Sequence, residues 1–172
     1  KVDLIRFKND FPVDNVNYAA GEFEKNYLAD HLYSSALEVT SFLTPVVYSA
    51  MERVLANLEL PSGSVTAFVV NSLHHNASCY VVDEVSAIVQ ISSGLVNLLS
   101  EGELSFVLGH EIGHFLLKHQ SIGLEQEGES VEAMKLRRAR EISVDRVGLW
   151  SLKNDENTAL HALIKTASGL NK

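Results

Sequence analysis

Ser100-Glu-Gly-Glu-Leu-Ser-Phe-Val-Leu-Gly-His110-Glu111-Ile-Gly-His114-Phe-Leu-Leu-Lys-His119-Gln120 is the stretch on which the reading of this chain turns. Ser100 and Glu103 form a Ser-x-x-Glu capping box, the signature of a helix start. Leu104, Val107, Leu108, Ile112, Phe115 and Leu116 then recur at helical spacing, so a helix is predicted from Ser100 to about Gln120. Each helical residue turns the chain by about 100°, which puts His110 and His114 on one face, close enough to share a metal. Glu111 lies beside them. Zinc favours imidazole and carboxylate ligands and, in catalytic sites, keeps one position for water. Water held there ionises near neutral pH, and a neighbouring Glu111 can accept its proton and pass it to a leaving amine. Gly113 lacks a side chain and would let another element approach this helix closely.

Two histidines leave a zinc site incomplete. One known solution places Gly three and His six residues past the second histidine, but those positions hold Leu117 and Gln120. The other is a carboxylate from a later helix. Glu141-Ile-Ser-Val-Asp145 offers two carboxylates at i and i+4, again on one face. Glu141 can ligate a metal while Asp145 holds the outer nitrogen of a ligand histidine and so fixes its tautomer. Taken alone, both read more readily as two solvated helix charges; following the His110–His114 helix across a short loop, the ligand reading prevails.

Around this pair the chain alternates helical and strand-like patterns. Thr44-Pro45 reads as a cap with Pro at the first helical position, opening a helix through Val46, Val47, Ala50, Val54, Leu55 and Leu58 that Pro61-Ser-Gly63 ends. Three strand-like runs follow: Val65 to Val70, Ala77 to Val82 and Ala87 to Ser92. Their short connections predict an antiparallel meander. Gly94 to Leu99 reads as one or two helical turns, Ser121 to Gly128 as a polar loop, Ser130 to Trp150 as a second long helix, and Thr158 to Ser168 as the last. Ahead of them, Lys1 to Tyr18 reads as an extended arm, and Glu22 to Phe42 as partly helical. No repeat, low-complexity tract or interdomain linker interrupts the 172 residues.

Composition narrows the class of partner. With 46% apolar and 21% charged residues the chain is an ordinary globular one, long enough for one domain with its own core. A net charge of -8 opposes phosphate backbones, so nucleic acid is not an expected partner. The one basic cluster, Lys135 to Arg140, reads as a solvated helix face with ion pairs to Glu129 and Glu132. The single cysteine, Cys79, lies in an apolar run and reads as a buried thiol. No run of about eighteen apolar residues is present and no secretory signal pattern is visible, so a soluble chain is expected; the cytoplasm is favoured over other compartments, which the sequence itself does not mark.

Four segments resemble the HtpX and CAAX prenyl protease family of gluzincin metallopeptidases, peptidase family M forty-eight. They are Asn76-Ala77 ahead of a strand; Ile88-Val-Gln-Ile-Ser-Ser-Gly94-Leu95; Gly102-Glu103-Leu104 through His110-Glu-Ile-Gly-His114 to His119; and Arg138-Ala-Arg-Glu141-Ile-Ser-Val-Asp145-Arg146. The resemblance spans roughly Thr44 to Leu170. It departs from the family at Val144, where Ala is usual, and at Ser78-Cys79, where larger apolar residues are commoner. It also lacks the membrane helices of the HtpX and prenyl protease members, so the chain is more similar to soluble relatives.

The resemblance implies one zinc held by His110, His114 and Glu141, with Glu111 as general base. Asp145 and Arg138 would support the ligands from behind. It implies an α+β fold of zincin type: a small, mostly antiparallel sheet over the H-E-x-x-H helix. Residues 1–43 would form the arm and helical segment and residues 44–172 the metallopeptidase domain. In such folds the strand before the metal helix usually offers an edge to substrate, here Ala87 to Ser92. The expected activity is endoproteolysis of extended or unfolded polypeptide. A metal-containing client-binding or chaperone module with little turnover is the alternative, and an enzyme kept latent by the arm is a third. His119, nine residues past His110, would fall on the opposite helix face and is not expected to be a ligand. His74 and His75 read as solvated loop residues. His161, Tyr80 and Arg138 are candidates to stabilise an oxyanion by chemistry alone. Oligomeric state has no signature.

Overall fold

A computed structural model describes residues 30–119 and 130–170. Residues 30–35 are helical and lead into a two-residue strand, β1 (Leu37–Glu38). Helix α1 (Pro45–Asn57) follows, with Pro45 in its first turn. Strands β2 (Val65–Val70), β3 (Ala77–Val81) and β4 (Ala87–Ser92) come next. The remainder is helical: α2 (Ser93–Leu98), α3 (Glu101–Leu116), α4 (Val131–Ser151) and α5 (Glu156–Ser168). The arm expected over Lys1 to Tyr18, the start of the Glu22 to Phe42 segment, and the Ser121 to Gly128 loop lie outside the described residues.

The strands form one sheet in the order β1-β2-β4-β3. β1 runs antiparallel to β2, and β3 antiparallel to β4. β2 and β4 are parallel, in register from Val65 opposite Ala87 to Val70 opposite Ser92. The sheet is therefore mixed, and the expected meander does not form, because β4 inserts between β2 and β3. Burial explains the order. Ala87, Ile88, Val89 and Ile91 are all buried, so β4 is covered on both faces as an inner strand must be. β3 carries Ser78 and Tyr80 at half-buried positions and suits the outside. The expectation that Ala87 to Ser92 offers an edge is thereby corrected: β4 is paired on both sides, and β3 is the outer strand among the described residues.

The alternation along the strands sorts side chains between two faces. Ala67, Val89 and Ile91 point into the main core with Val47, Ala50, Met51, Val54 and Leu55 of α1 and Leu104, Leu108, Ile112 and Phe115 of α3. Phe68 and Ile88 face the other way and pack with Leu32. α3 thus lies in the middle of the molecule, against α1, the sheet, α4 and α5. Among the described residues no helix is long and apolar enough to cross a membrane.

Candidate active site

The start of α3 is fixed before its histidines are reached. Ser100 Oγ accepts from the Glu103 N–H at 3.4 Å, and the Glu103 carboxylate accepts from the Ser100 N–H at 2.7 Å. The same carboxylate receives Lys165 Nζ of α5 at 2.9 Å. Burial pushes the Glu103 pKa up, but the Ser100 N–H and the Lys165 ammonium outweigh it and hold the carboxyl below its ordinary range.

Helix α4 crosses α3 at very short range. A Cβ at Gly109 would lie 2.3 Å from Ser151 Oγ and 3.1 Å from the Gly148 Cα. One turn further, a Cβ at Gly113 would meet Val144 and Val147 at 3.1 Å. The missing side chains let the two helix surfaces touch, and that contact delivers Glu141 and Asp145 to the histidines. Asn57 of α1 donates to the Ser151 carbonyl at 2.7 Å and ties down the end of α4.

His110 Nε2 lies 3.4 Å from one Glu141 carboxylate oxygen, and His114 Nε2 lies 3.9 Å from the other. One ligand atom from each of the three residues falls within 4.8 Å of the rest. A zinc ion bonded at about 2.0–2.2 Å fits between atoms at such separations. Two imidazole nitrogens and a carboxylate form a donor set that zinc favours, and Glu141 is exposed enough to leave one side open. On the opposite edge of its ring, His110 Nδ1 is 2.9 Å from Asp145 Oδ1. An ionised carboxylate only accepts, so Nδ1 carries the proton and Nε2 keeps its lone pair for a metal.

The charges respond to this crowding. Burial lowers the His110 pKa, yet Asp145, Glu111 and Glu141 together raise it above its usual value. His114 is held low by burial and by His110. Glu111 is raised, first by burial and then by Glu141, which brings a carboxyl toward the range useful in proton transfer.

A cavity of about 380 Å³ opens over these groups. Ala77, Ser78 and Cys79 of β3 line it, with His110, Glu111, His114 and Glu141 opposite. The Cys79 thiol is buried as expected, and burial followed by the Glu111 charge pushes its pKa up to about 12. A smaller cavity of about 150 Å³ adjoins His110 and Glu111 on the side of α5, between Phe106, Val107 and Leu163.

Two side chains stand where the sequence did not put them. His119 is not turned away. Its Nδ1 is 3.3 Å from His114 Nδ1, and the two rings meet edge to face. α3 ends at Leu116, and Lys118 adopts φ +54°, so the chain reverses and the helical angle no longer holds. His119 remains outside the His110, His114 and Glu141 cluster, as expected of a residue that is not a ligand. Burial, His114 and Arg140 hold its pKa down to about 4. Arg140, read as part of a solvated face, is instead buried and lines the cavity. Arg138 is exposed and lines neither cavity, whereas Arg137 and Arg140 on either side of it line the larger one. His161 and Tyr80 also line neither; the Tyr80 hydroxyl lies against Ser78 and Gln90. His74 and His75 are exposed.

The site and fold define an α+β protein with a His-His-Glu cluster at the crossing of two helices. Sequence comparison agrees with that class. The description "Peptidase family M48" matches residues 43–132, just over half of the chain. The chain belongs to this peptidase family. The match includes His110, Glu111 and His114 and ends before Glu141, so Glu141 joins the cluster on geometry. A protein named "Protease HtpX homolog" from Thermodesulfovibrio yellowstonii is 31% identical over 87 residues, which is 51% of this chain and 29% of the relative. A like-named protein from Methylibium petroleiphilum is 32% identical over 88 residues, 51% and 30% of the two chains. The chain thus spans under a third of the length of these curated relatives.

Proposed function

We propose that this chain is a zinc-dependent endopeptidase acting on extended or unfolded polypeptides. The observation that carries the reading is the convergence of His110 Nε2, His114 Nε2 and the Glu141 carboxylate, with Glu111 beside them in one cavity. These three residues would hold the zinc. Zinc in such a site supplies the Lewis acidity that lets water ionise near neutral pH. Asp145 keeps the proton of His110 on Nδ1, so its ring presents Nε2 inward. Glu111 accepts the proton of the attacking water and returns it to the leaving amine; its raised pKa favours the acceptance. Substrate would lie along β3, with Ala77 and Ser78 nearest the cavity, as an added strand held by backbone hydrogen bonds. Such binding reads the backbone more than side chains, which suits unfolded clients.

The test compares the wild type with Glu111→Gln. Both should bind about one zinc per chain. The variant should lose about 10²–10⁴-fold in cleavage of an unfolded protein. A zinc-loaded Gln variant that still cleaves at the wild-type rate removes Glu111 from its role. A zinc-loaded wild type that binds unfolded protein without cutting it replaces the peptidase reading with a client-binding module.

A further inference from the structure

Arg140 is 7% exposed, and its Nη1 is buried without a hydrogen-bond partner. Among the described residues no carboxylate lies within ion-pair distance of it, although Glu111 and Glu141 share its cavity. A buried guanidinium without a counter-charge costs several kcal/mol unless something completes it. Apart from those two glutamates and the metal-site histidines, the cavity is lined by Ala77, Ser78, Cys79, His119 and a second cation, Arg137, none of them an anion. His119 sits on the outer ring nitrogen of His114, so this wall lies to the side of the ligand nitrogens rather than over them. The chain as a whole is acidic, at -8, yet two arginines, Arg137 and the buried Arg140, line this cavity.

We propose that Arg140 is a substrate-binding residue whose buried guanidinium receives a carboxylate of the bound polypeptide, either an acidic side chain or the chain terminus. This rests on the reading of the cavity as the substrate site. A guanidinium presents its donors as a planar fork that matches a carboxylate with two parallel hydrogen bonds, and a lysine does not reproduce it. Backbone addition along β3 would supply general affinity, while Arg140 would favour peptides that place an acid beside Ser78 and Cys79. Preference for an acid at one point is thus added to an otherwise permissive groove.

The experiment reads binding, so it does not depend on turnover. Zinc-loaded Glu111→Gln protein is titrated with fluorescent peptides of one scaffold, in which Glu replaces Gln at each position in turn. Every peptide is made with a free C-terminal acid and with an amide. One acid, internal or terminal, should raise affinity about tenfold or more, the worth of a charge-assisted hydrogen bond in a buried site. The two arms identify the source. In Glu111→Gln combined with Arg140→Met the ratio should fall to about one, with zinc content retained. Arg140→Lys should keep only part of the ratio, and it carries the test where the Met variant does not fold. The proposal is overturned if no acid improves binding to protein carrying Arg140. It is equally overturned if the advantage persists in the Met variant or stands undiminished in the Lys variant. Failure of the peptidase reading would appear separately, as absence of cleavage by the wild type.

Discussion

Glu103 closes the capping box of α3 and receives Lys165 from the last helix, so one carboxylate joins two elements. Its pKa is lowered in the fold, so the stability it adds is full above the ordinary carboxylate range and is lost as pH falls through the lowered folded value. Glu103→Gln should cost about 2 kcal/mol near neutral pH, the scale of a hydrogen bond to a charged group. The gap between the two proteins in urea unfolding should narrow as the medium is acidified. A gap of constant size down to about pH 2 would show that the charge of Glu103 contributes nothing. At this scale the sequence was informative wherever positions share one helix. The spacing of His110 to His114 and of Glu141 to Asp145 placed each pair on a face, and those faces meet in the structure. His119 escaped because a single left-handed residue, Lys118, breaks the periodicity, and a lysine there gives no warning. Arg140 escaped because which side of a helix is buried depends on what it docks against, and the polar run from Lys135 hid the contact.

The helix crossing belongs to the next scale. Gly109 faces Ser151 at distances no Cβ tolerates and the Gly148 Cα at a tight 3.1 Å, so Gly109→Ala must shift α4 against α3. Overpacking of this kind costs about 1–3 kcal/mol. Since Glu141 and Asp145 ride on α4, zinc affinity should fall along with stability. Ser151→Gly, which removes the nearest atoms, should recover part of both in the double variant. Calorimetry and chelator competition would measure the two, and an Ala variant with wild-type zinc affinity would show that the crossing distance does not position the ligands. The helices and strands were legible because each has its own period and caps; the helix predicted over Ser130 to Trp150 is Val131–Ser151. Strand order was not legible. Local patterning says that β4 is mostly apolar but not that it takes β2 as a parallel neighbour, since pairing is a long-range choice.

For the whole molecule the cluster of His110, His114 and Glu141 implies coupling between metal and fold, because its ligands come from two helices. Zinc at about 100 times its dissociation constant should stabilise the protein by about 2.7 kcal/mol. For a chain of this size that is a rise in melting temperature of roughly 5–10 °C, lost on chelation. Zinc should shift the midpoint of His114→Ala by much less, and an equal shift would place the stabilising ion elsewhere. The placement of β4 between β2 and β3 also bears on how the molecule is assembled. β3 and β4 are joined by a short turn in which Asp83 accepts from the N–H groups of Val85 and Ser86, so this hairpin can close locally, within microseconds. The β2–β4 pairing closes a longer stretch of chain, one that includes β3, and so forms later. The wall of the cavity that β3 provides would then be built early, and the barrier to folding would lie in docking the finished hairpin onto β2.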